Sequence, residues 1–391
     1  MNLKKVLILI LIALTARALW ALDPVPSSPD KGSWGPRPMR GINCYGRFTP
    51  ENMKDVRAWG VNHIRYQIVK FGPGLVQANG EWTFDDRTWE GITDILGLAG
   101  GEGIRVVLDV HGNPFFPGEI WNRETIASWQ NPENRRKLAS LWRTIAARFK
   151  DDRTVVAAYE IMNEPAPPRT DEGYRALNGI MKEVTAAIRS VDVWHTIIVG
   201  GPEYSRPPHM MRIEPTGDPN TVYTCHMYEP TEFTHQGISW MKAPFGQVYP
   251  GTMPLGWDKK EPAQVDRDFL VARMMPAVQF QKKYNARIYV GEFSARRDCP
   301  DNSAYRWLKD VVTFFEEQRW DWAYHAYRGD RYGDPTFSLE HSNETNDRMR
   351  HATTDRLELL KSFYARNALP APDGGEVTPM PNIQYPTSRV Q

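Results

Sequence analysis

The chain is 391 residues long, 41% hydrophobic and 24% charged, and 48 Lys and Arg against 47 Asp and Glu leave a net charge of +1. That balance excludes a nucleic-acid binder working through a basic surface, and the apolar content excludes a largely disordered chain. The 14 Trp, 16 Tyr and 15 Phe are more than a core of this size needs; they suggest stacking surfaces for a flat ligand, although buried Trp is the commoner use.

In chain order, residues 1–21 read as a signal peptide. Lys4 and Lys5 precede an apolar run from Val6 to Ala16, and Ala16-Arg17-Ala18 is a small-x-small cleavage site. The run is too short to span a bilayer. A secreted or periplasmic location is expected, with no membrane contact beyond export. Cleavage removes Lys4, Lys5 and Arg17 and no acid, so the mature charge is −2. Residues 22–37, rich in Pro, Ser and Gly, read as a linker, and residues 367–391 read as a Pro-rich tail. The three cysteines, Cys44, Cys225 and Cys299, are odd in number and far apart, which gives neither a disulfide framework nor a metal pattern. One disulfide or none remains open.

Between linker and tail, short β-rich apolar runs alternate with longer amphipathic segments. The runs cover 39–44, 62–68, 104–110, 155–162, 196–200, 222–227, 288–293 and 320–327. Helical patterns include 135–148, 173–190, 265–284 and 302–317. Near-continuous Val, Ile and Leu runs indicate strands buried on both faces, as in a parallel sheet covered by helices. Eight such units predict an α/β fold, a (β/α)8 barrel in a single catalytic domain over 38–366. A doubly wound open sheet is the rival, but no Gly-rich phosphate loop follows the first strand.

Functional groups of such a barrel belong at the C-terminal ends of its strands. The second strand carries Arg65, the third ends in Asp109-Val-His111, and the fourth in Asn163-Glu164-Pro165. The sixth ends in His226-Met-Tyr228 and the seventh in Glu292. Each alone has a bland reading, since a strand-end His is commonly structural, Arg65 could pair with any carboxylate and Asp109 could cap a turn. Together they converge on one rim. Ends of strands four and seven face each other across a barrel mouth, and two carboxylates there suit glycosidic cleavage, one to protonate the leaving oxygen and one to attack the anomeric carbon. His226 and Tyr228 share a strand face and can hold the two acids in different protonation states. Arg65 keeps the nucleophile ionised, and Asn163 can donate to the neighbouring sugar hydroxyl.

The pieces Asn62-His-Ile-Arg65, Leu108-Asp-Val-His111, Met162-Asn-Glu-Pro165, His226-Met-Tyr228 and Val290-Gly-Glu-Phe293 resemble, in order, the signature of glycoside hydrolase family 5, retaining (β/α)8 enzymes that include many cellulases. The resemblance assigns Glu164 as acid/base, Glu292 as nucleophile, Asn163 to the 2-hydroxyl, and Arg65, His111, His226 and Tyr228 as the supporting set. It also exposes a departure. The family places a Trp on strand eight under the sugar, and here His325 takes that position, so either a neighbouring Trp stacks instead or the subsite differs.

Loops 112–130 and 229–262 are expected to shape a groove, with Trp121, Trp129, Trp240 and Trp257 able to stack on pyranose rings. No His spacing fits a metal site and no Gly-x-Ser-x-Gly elbow occurs. The expectation is a monomeric, secreted, retaining endo-β-1,4-glucanase without cofactor or metal, acting on a polysaccharide or oligosaccharide. Its carboxyl groups should lie about 5–5.5 Å apart. The alternatives are a β-mannanase, a β-1,3 or mixed-linkage glucanase, an exo-β-glucosidase, and, from another class, a non-catalytic carbohydrate-binding barrel. A transglycosylase would share every residue named.

Overall fold

The computed structural model describes residues 32–35, 38–68, 74–112, 114–116, 126–239, 243–256, 262–328 and 336–369. Eight parallel strands close into a barrel: β1 (Arg40–Tyr45), β2 (His63–Ile68), β3 (Arg105–Val110), β4 (Val156–Glu160), β5 (Thr196–Gly200), β6 (Thr221–Met227), β7 (Arg287–Phe293) and β8 (Asp321–Tyr324). Closure is made by β8 on β1, with Arg40 opposite Trp322 and Ile42 opposite Tyr324. The strands are buried almost throughout, which is why they read as apolar runs rather than as alternating ones.

Among the described residues, seven helices of nine or more residues cover the barrel: α1 (Pro50–Ala58), α2 (Asp86–Gly101), α3 (Pro132–Phe149), α4 (Asp171–Arg189), α5 (Arg267–Tyr284), α6 (Ser303–Glu317) and α7 (Asp355–Tyr364). Their starts follow local chemistry. Thr49, Asp85, Asn131, Thr170, Asp266 and Thr354 each accept a hydrogen bond from a backbone N–H of the first turn. The expected strand and helix positions agree with these to within a few residues. Regular pairing stops earlier than expected in β4 and β8, where the chain leaves the sheet to present side chains at the rim.

The crossover from β5 to β6 departs from the alternation. Pro202, Pro207 and Pro208 interrupt it, and Glu203, Tyr204 and Ser205 all have positive φ (57, 63 and 55°). A 3-10 turn, Pro207–Arg212, takes the place of an α-helix there. Two hairpins decorate the barrel. One, Leu75–Ala78 with Glu81–Phe84, turns on Asn79-Gly80, a pair suited to positive φ at both positions. The other pairs Gly251–Pro254 with Pro262–Val265. All three cysteines are buried and free, so no disulfide forms; burial pushes the Cys225 and Cys299 thiols up to about 12. No helix among the described residues is long and apolar enough to cross a membrane.

The segment expected to be a linker needs correction where it is described. Residues 32–35 are built into the end of the barrel where the strands begin. Ser33 Oγ donates to the Ala157 carbonyl at 2.6 Å and accepts from Thr196 N at 2.9 Å, and the Arg105 guanidinium bonds the Ser33 carbonyl. Trp34 is 1% exposed. Its Nε1 donates to Asp321 Oδ2 at 2.9 Å, and its ring meets Tyr289 edge-on at 5.1 Å. Small and polar residues signal a flexible linker only when nothing covers them, and here a single Trp turns them into a plug. Trp34→Ala is expected to lower unfolding stability by about 3–5 kcal/mol, read from the urea midpoint. Turnover per folded molecule should be unchanged, because the plug is at the end of the barrel away from the rim.

The barrel and its shell extend to α7 and on to Asn367, whose amide donates to the Arg40 and Gly60 carbonyls. The signal segment 1–21 and the tail from 370 onward lie outside the described residues.

Candidate active site

Strand period fixes which side chains enter the barrel. On β2, alternate residues His63, Arg65 and Gln67 point inward at rising levels. His63 meets Tyr289 at 3.2 Å near the plugged end, and burial drives its imidazole down to about 3. Arg65 occupies the middle and is fully buried. Gln67 reaches the rim.

Arg65 is the hub. It contacts three carboxylates, Glu160 Oε2 at 2.6 Å, Glu292 Oε1 at 2.6 Å and Asp109 Oδ2 at 3.0 Å. It also donates to Asn43 Oδ1 and Asn163 Oδ1, each at 2.9 Å. One cation among three buried acids leaves negative charge in excess. Burial raises the Glu160 carboxyl, Arg65 pulls it back and Asp109 pushes it up again, and the net direction is upward.

Glu292 has the opposite balance. Burial pushes its carboxyl up, but His325, His226 and Arg65 together outweigh burial and hold it well below the usual carboxylate range. Both oxygens are engaged: Oε1 accepts from Arg65 Nη1 at 2.6 Å and Gln67 Nε2 at 3.2 Å, and Oε2 accepts from Tyr228 OH at 2.8 Å. A register shift between Val290 and Glu292 aims this side chain. The residue between them must be glycine, since a Cβ on Gly291 would lie 2.7 Å from Thr224 Oγ1 and 3.0 Å from His226 Nε2.

Glu164 stands opposite. Its φ of 45° is left-handed, an uncommon conformation for a residue with a Cβ and one found at functional positions. His226 Nδ1 lies 2.8 Å from Glu164 Oε1 and 3.9 Å from Glu292 Oε2. Burial alone would lower the His226 imidazole; Glu292 and Glu164 overcome it and raise it. One carboxylate oxygen from each glutamate and the His226 nitrogen lie within 4.8 Å of one another. The glutamates are thus close, differently exposed and differently bonded.

That trio has the composition of a metal site, but its surroundings do not suit a cation. Arg65 already places a positive charge 2.6 Å from Glu292, and Tyr228 occupies the second oxygen. His226 turns its facing nitrogen to Glu164.

His111 joins from β3. Its Nδ1 is 2.7 Å from Asp109 Oδ2, and its Nε2 is 3.4 Å from Asn163 Nδ2. A proton on Nδ1 and a lone pair on Nε2 satisfy both contacts. With Asn163 Oδ1 committed to Arg65, its amide nitrogen is the group left to face a ligand.

Arg65, His111, Asn163, Glu164, His226, Tyr228, Glu292 and His325 are therefore all brought together. Trp129 is not, and this corrects an expectation. It falls in a short helix, Ile126–Gln130, and stacks on Phe116 at 5.0 Å, 2% exposed, so it packs beneath its loop. Trp121, Trp240 and Trp257 lie outside the described residues. No neighbouring Trp of β8 substitutes at the His325 position. Trp320 and Trp322 are buried outside the barrel, bonded to Gln281 and Glu316.

Asn43, Gln67 and Glu160 are additions that the motifs did not reveal, and Asp109 binds Arg65 and His111 rather than capping a turn. A signal existed for two of them. Gln67 is two residues beyond Arg65 on one strand face, and Glu160 is an acid inside the apolar run Val156-Ala-Ala-Tyr.

Comparison with known proteins identifies the family and the fold. The family model described as Cellulase (glycosyl hydrolase family 5) matches residues 36–331. Endoglucanase C of Acetivibrio thermocellus is 24% identical over 290 residues, 69% of this chain and 81% of that protein. Cellodextrinase A of Ruminococcus flavefaciens is 25% identical over 276 residues, 69% of this chain and 76% of that one. Among solved structures, endoglucanase Cel5A of Thermotoga maritima superposes with a TM-score of 0.64 at 25% identity, covering 82% of this chain and 96% of that chain. Cel5A has been crystallised with cellobiose and with mannotriose.

Proposed function

The chain belongs to the cellulase family of glycosyl hydrolases, family 5, and from that premise we propose that it is an exported endo-β-1,4-glucanase that retains anomeric configuration, with Glu292 as nucleophile and Glu164 as acid/base. The observation that carries the reading is the carboxylate pair, with oxygens within 4.8 Å of one another across the barrel mouth. That spacing fits attack by one carboxylate; an inverting pair would stand about 6.5–9.5 Å apart to admit a water between them.

In the first displacement a Glu292 oxygen bonds to the anomeric carbon. The bond from that carbon to the leaving oxygen breaks, and the oxygen takes the Glu164 proton. In the second, Glu164 removes a proton from water, the water oxygen bonds to the same carbon, and Glu292 departs as carboxylate. Arg65 and Tyr228 stabilise Glu292 when it is charged, and His226 faces both acids and can follow the proton on Glu164. Asn163, turned by Arg65 and His111, is placed to donate to the 2-hydroxyl, a contact that strengthens as the transition state forms.

The sugar and linkage rest on the relatives, several of which are endoglucanases. Export rests on Lys4, Lys5 and the apolar run that follows them. The test is a panel of soluble and insoluble β-glucans, mannan and xylan, with the anomeric proton of fresh product followed by NMR. Mixed-length oligosaccharides from β-1,4-glucan, released as the β-anomer, are expected. Release from mannan alone would replace the sugar assignment, a single monosaccharide would make the action exo, and α-anomer as first product would overturn the mechanism.

A further inference from the structure

His325 and Gln67 form a contact with the nucleophile that the double displacement does not require. His325 Nδ1 is 3.5 Å from Glu292 Oε2 and 3.4 Å from Gln67 Nε2. The same Gln67 nitrogen is 3.2 Å from Glu292 Oε1 and 3.3 Å from Asn43 Oδ1. One ring nitrogen therefore faces an amide nitrogen that only donates and a carboxylate oxygen that only accepts. It can satisfy one of them at a time. Without a proton, Nδ1 accepts from Gln67. With a proton it donates to Oε2, beside the Tyr228 hydroxyl already bonded there, and the Gln67 amide is left to Glu292 Oε1 and Asn43.

We propose that His325 is a positioning residue for Glu292, drawing Oε2 into a charge-assisted hydrogen bond when protonated and leaving it free to attack when neutral. A carboxylate oxygen bound to a further cationic donor has less electron density to offer a sugar carbon. The acid limb of the first displacement is then set by His325 and not by protonation of Glu292 itself.

The groups around the ring bear on its titration. Glu292 faces it from β7 and favours the proton. Tyr228, with its ring 6.5 Å away, faces it from the end of β6. Arg65 and His226 stand behind Glu292, and Arg65 opposes a second positive charge. Phe337 covers the ring from the loop after β8 at 6.1 Å, and His235 packs on both Phe337 and Tyr228. Burial drives His235 down to about 4, so it is neutral above that pH.

The proposal rests on Glu292 being the nucleophile, and the test separates the two. The probe is 2,4-dinitrophenyl 2-deoxy-2-fluoro-β-cellobioside. A Glu292 oxygen bonds to its anomeric carbon, the bond to the phenolate oxygen breaks, and the electron pair leaves with the phenolate, so no proton from Glu164 is needed. Phenolate release and the labelled residue are followed from pH 4 to pH 8 in the full chain, His325→Gln and Gln67→Met. The acid limb is expected to move down by about one pH unit in His325→Gln. It should move up in Gln67→Met, where the Gln67 amide no longer donates to Nδ1. General structural damage would not shift the two variants in opposite directions. Label on Glu292 with an unmoved acid limb in both variants overturns the proposal alone. Failure to label Glu292 overturns the glucanase reading and the proposal with it.

Discussion

Glu292→Ala is expected to lower turnover of every glycoside by about 10⁴-fold or more while the protein stays folded. The loss follows from chemistry with no substitute, since Glu164 is committed to the leaving oxygen. The other acids near Arg65, Asp109 and Glu160, lie deeper in the barrel. The fold should survive because those same two acids still partner Arg65, so the substitution strands no buried cation. Turnover and thermal melting of the same preparation check both halves; substantial residual turnover of an ordinary glycoside would remove Glu292 from its role. In the native protein the carboxyl is held well below the usual carboxylate range. Its ionised form therefore contributes stability that is present above the unfolded value of about 4.3 and is lost only as pH falls through the lower folded value. The nucleophile itself should stay charged through mild acid.

The second large effect belongs to Arg65. Replacing it with Met, which keeps much of the volume, leaves Asp109, Glu160 and Glu292 in the barrel without the guanidinium that joins them. Removing one partner from a buried ionic cluster typically costs about 3–5 kcal/mol. Glu160 is already pushed upward by burial, and losing Arg65, the main group that pulls it down, should push it further above its unfolded value. Groups raised in this way favour the folded state when protonated, so the deficit should shrink as pH falls and grow as pH rises through the folded values. Urea unfolding of wild type and Arg65→Met at pH 7 and pH 5 measures it, and an equal deficit at both pH values would contradict the account.

The sequence carried the barrel well because its strands are buried on both faces and its helices on one, and that contrast is written as apolar runs against amphipathic periods. It carried the rim residues because several polar groups at the ends of apolar runs converge on one mouth, although each alone has an ordinary structural use. The interior was harder to see. Asn43, Asp109 and Glu160 meet at Arg65 from three strands distant in sequence, and no local pattern records such a meeting. Gln67 was visible by strand period, but an amide has too many ordinary uses to stand out. Trp129 fails as a sugar platform because Phe116 covers its ring, a contact between a loop and a short helix that aromatic content alone does not encode. Residues 32–35 failed differently: composition described their neighbours, and one indole decided their placement.

The indole at position 34 also sets a direction. The described chain enters the fold at the closed floor of the barrel, whereas Glu164 and Glu292 open at the opposite mouth. A group fixed to the chain at residue 32 would therefore hold the molecule from the side opposite the two glutamates. The mouth carrying Glu164 and Glu292 would then face away from the point of attachment.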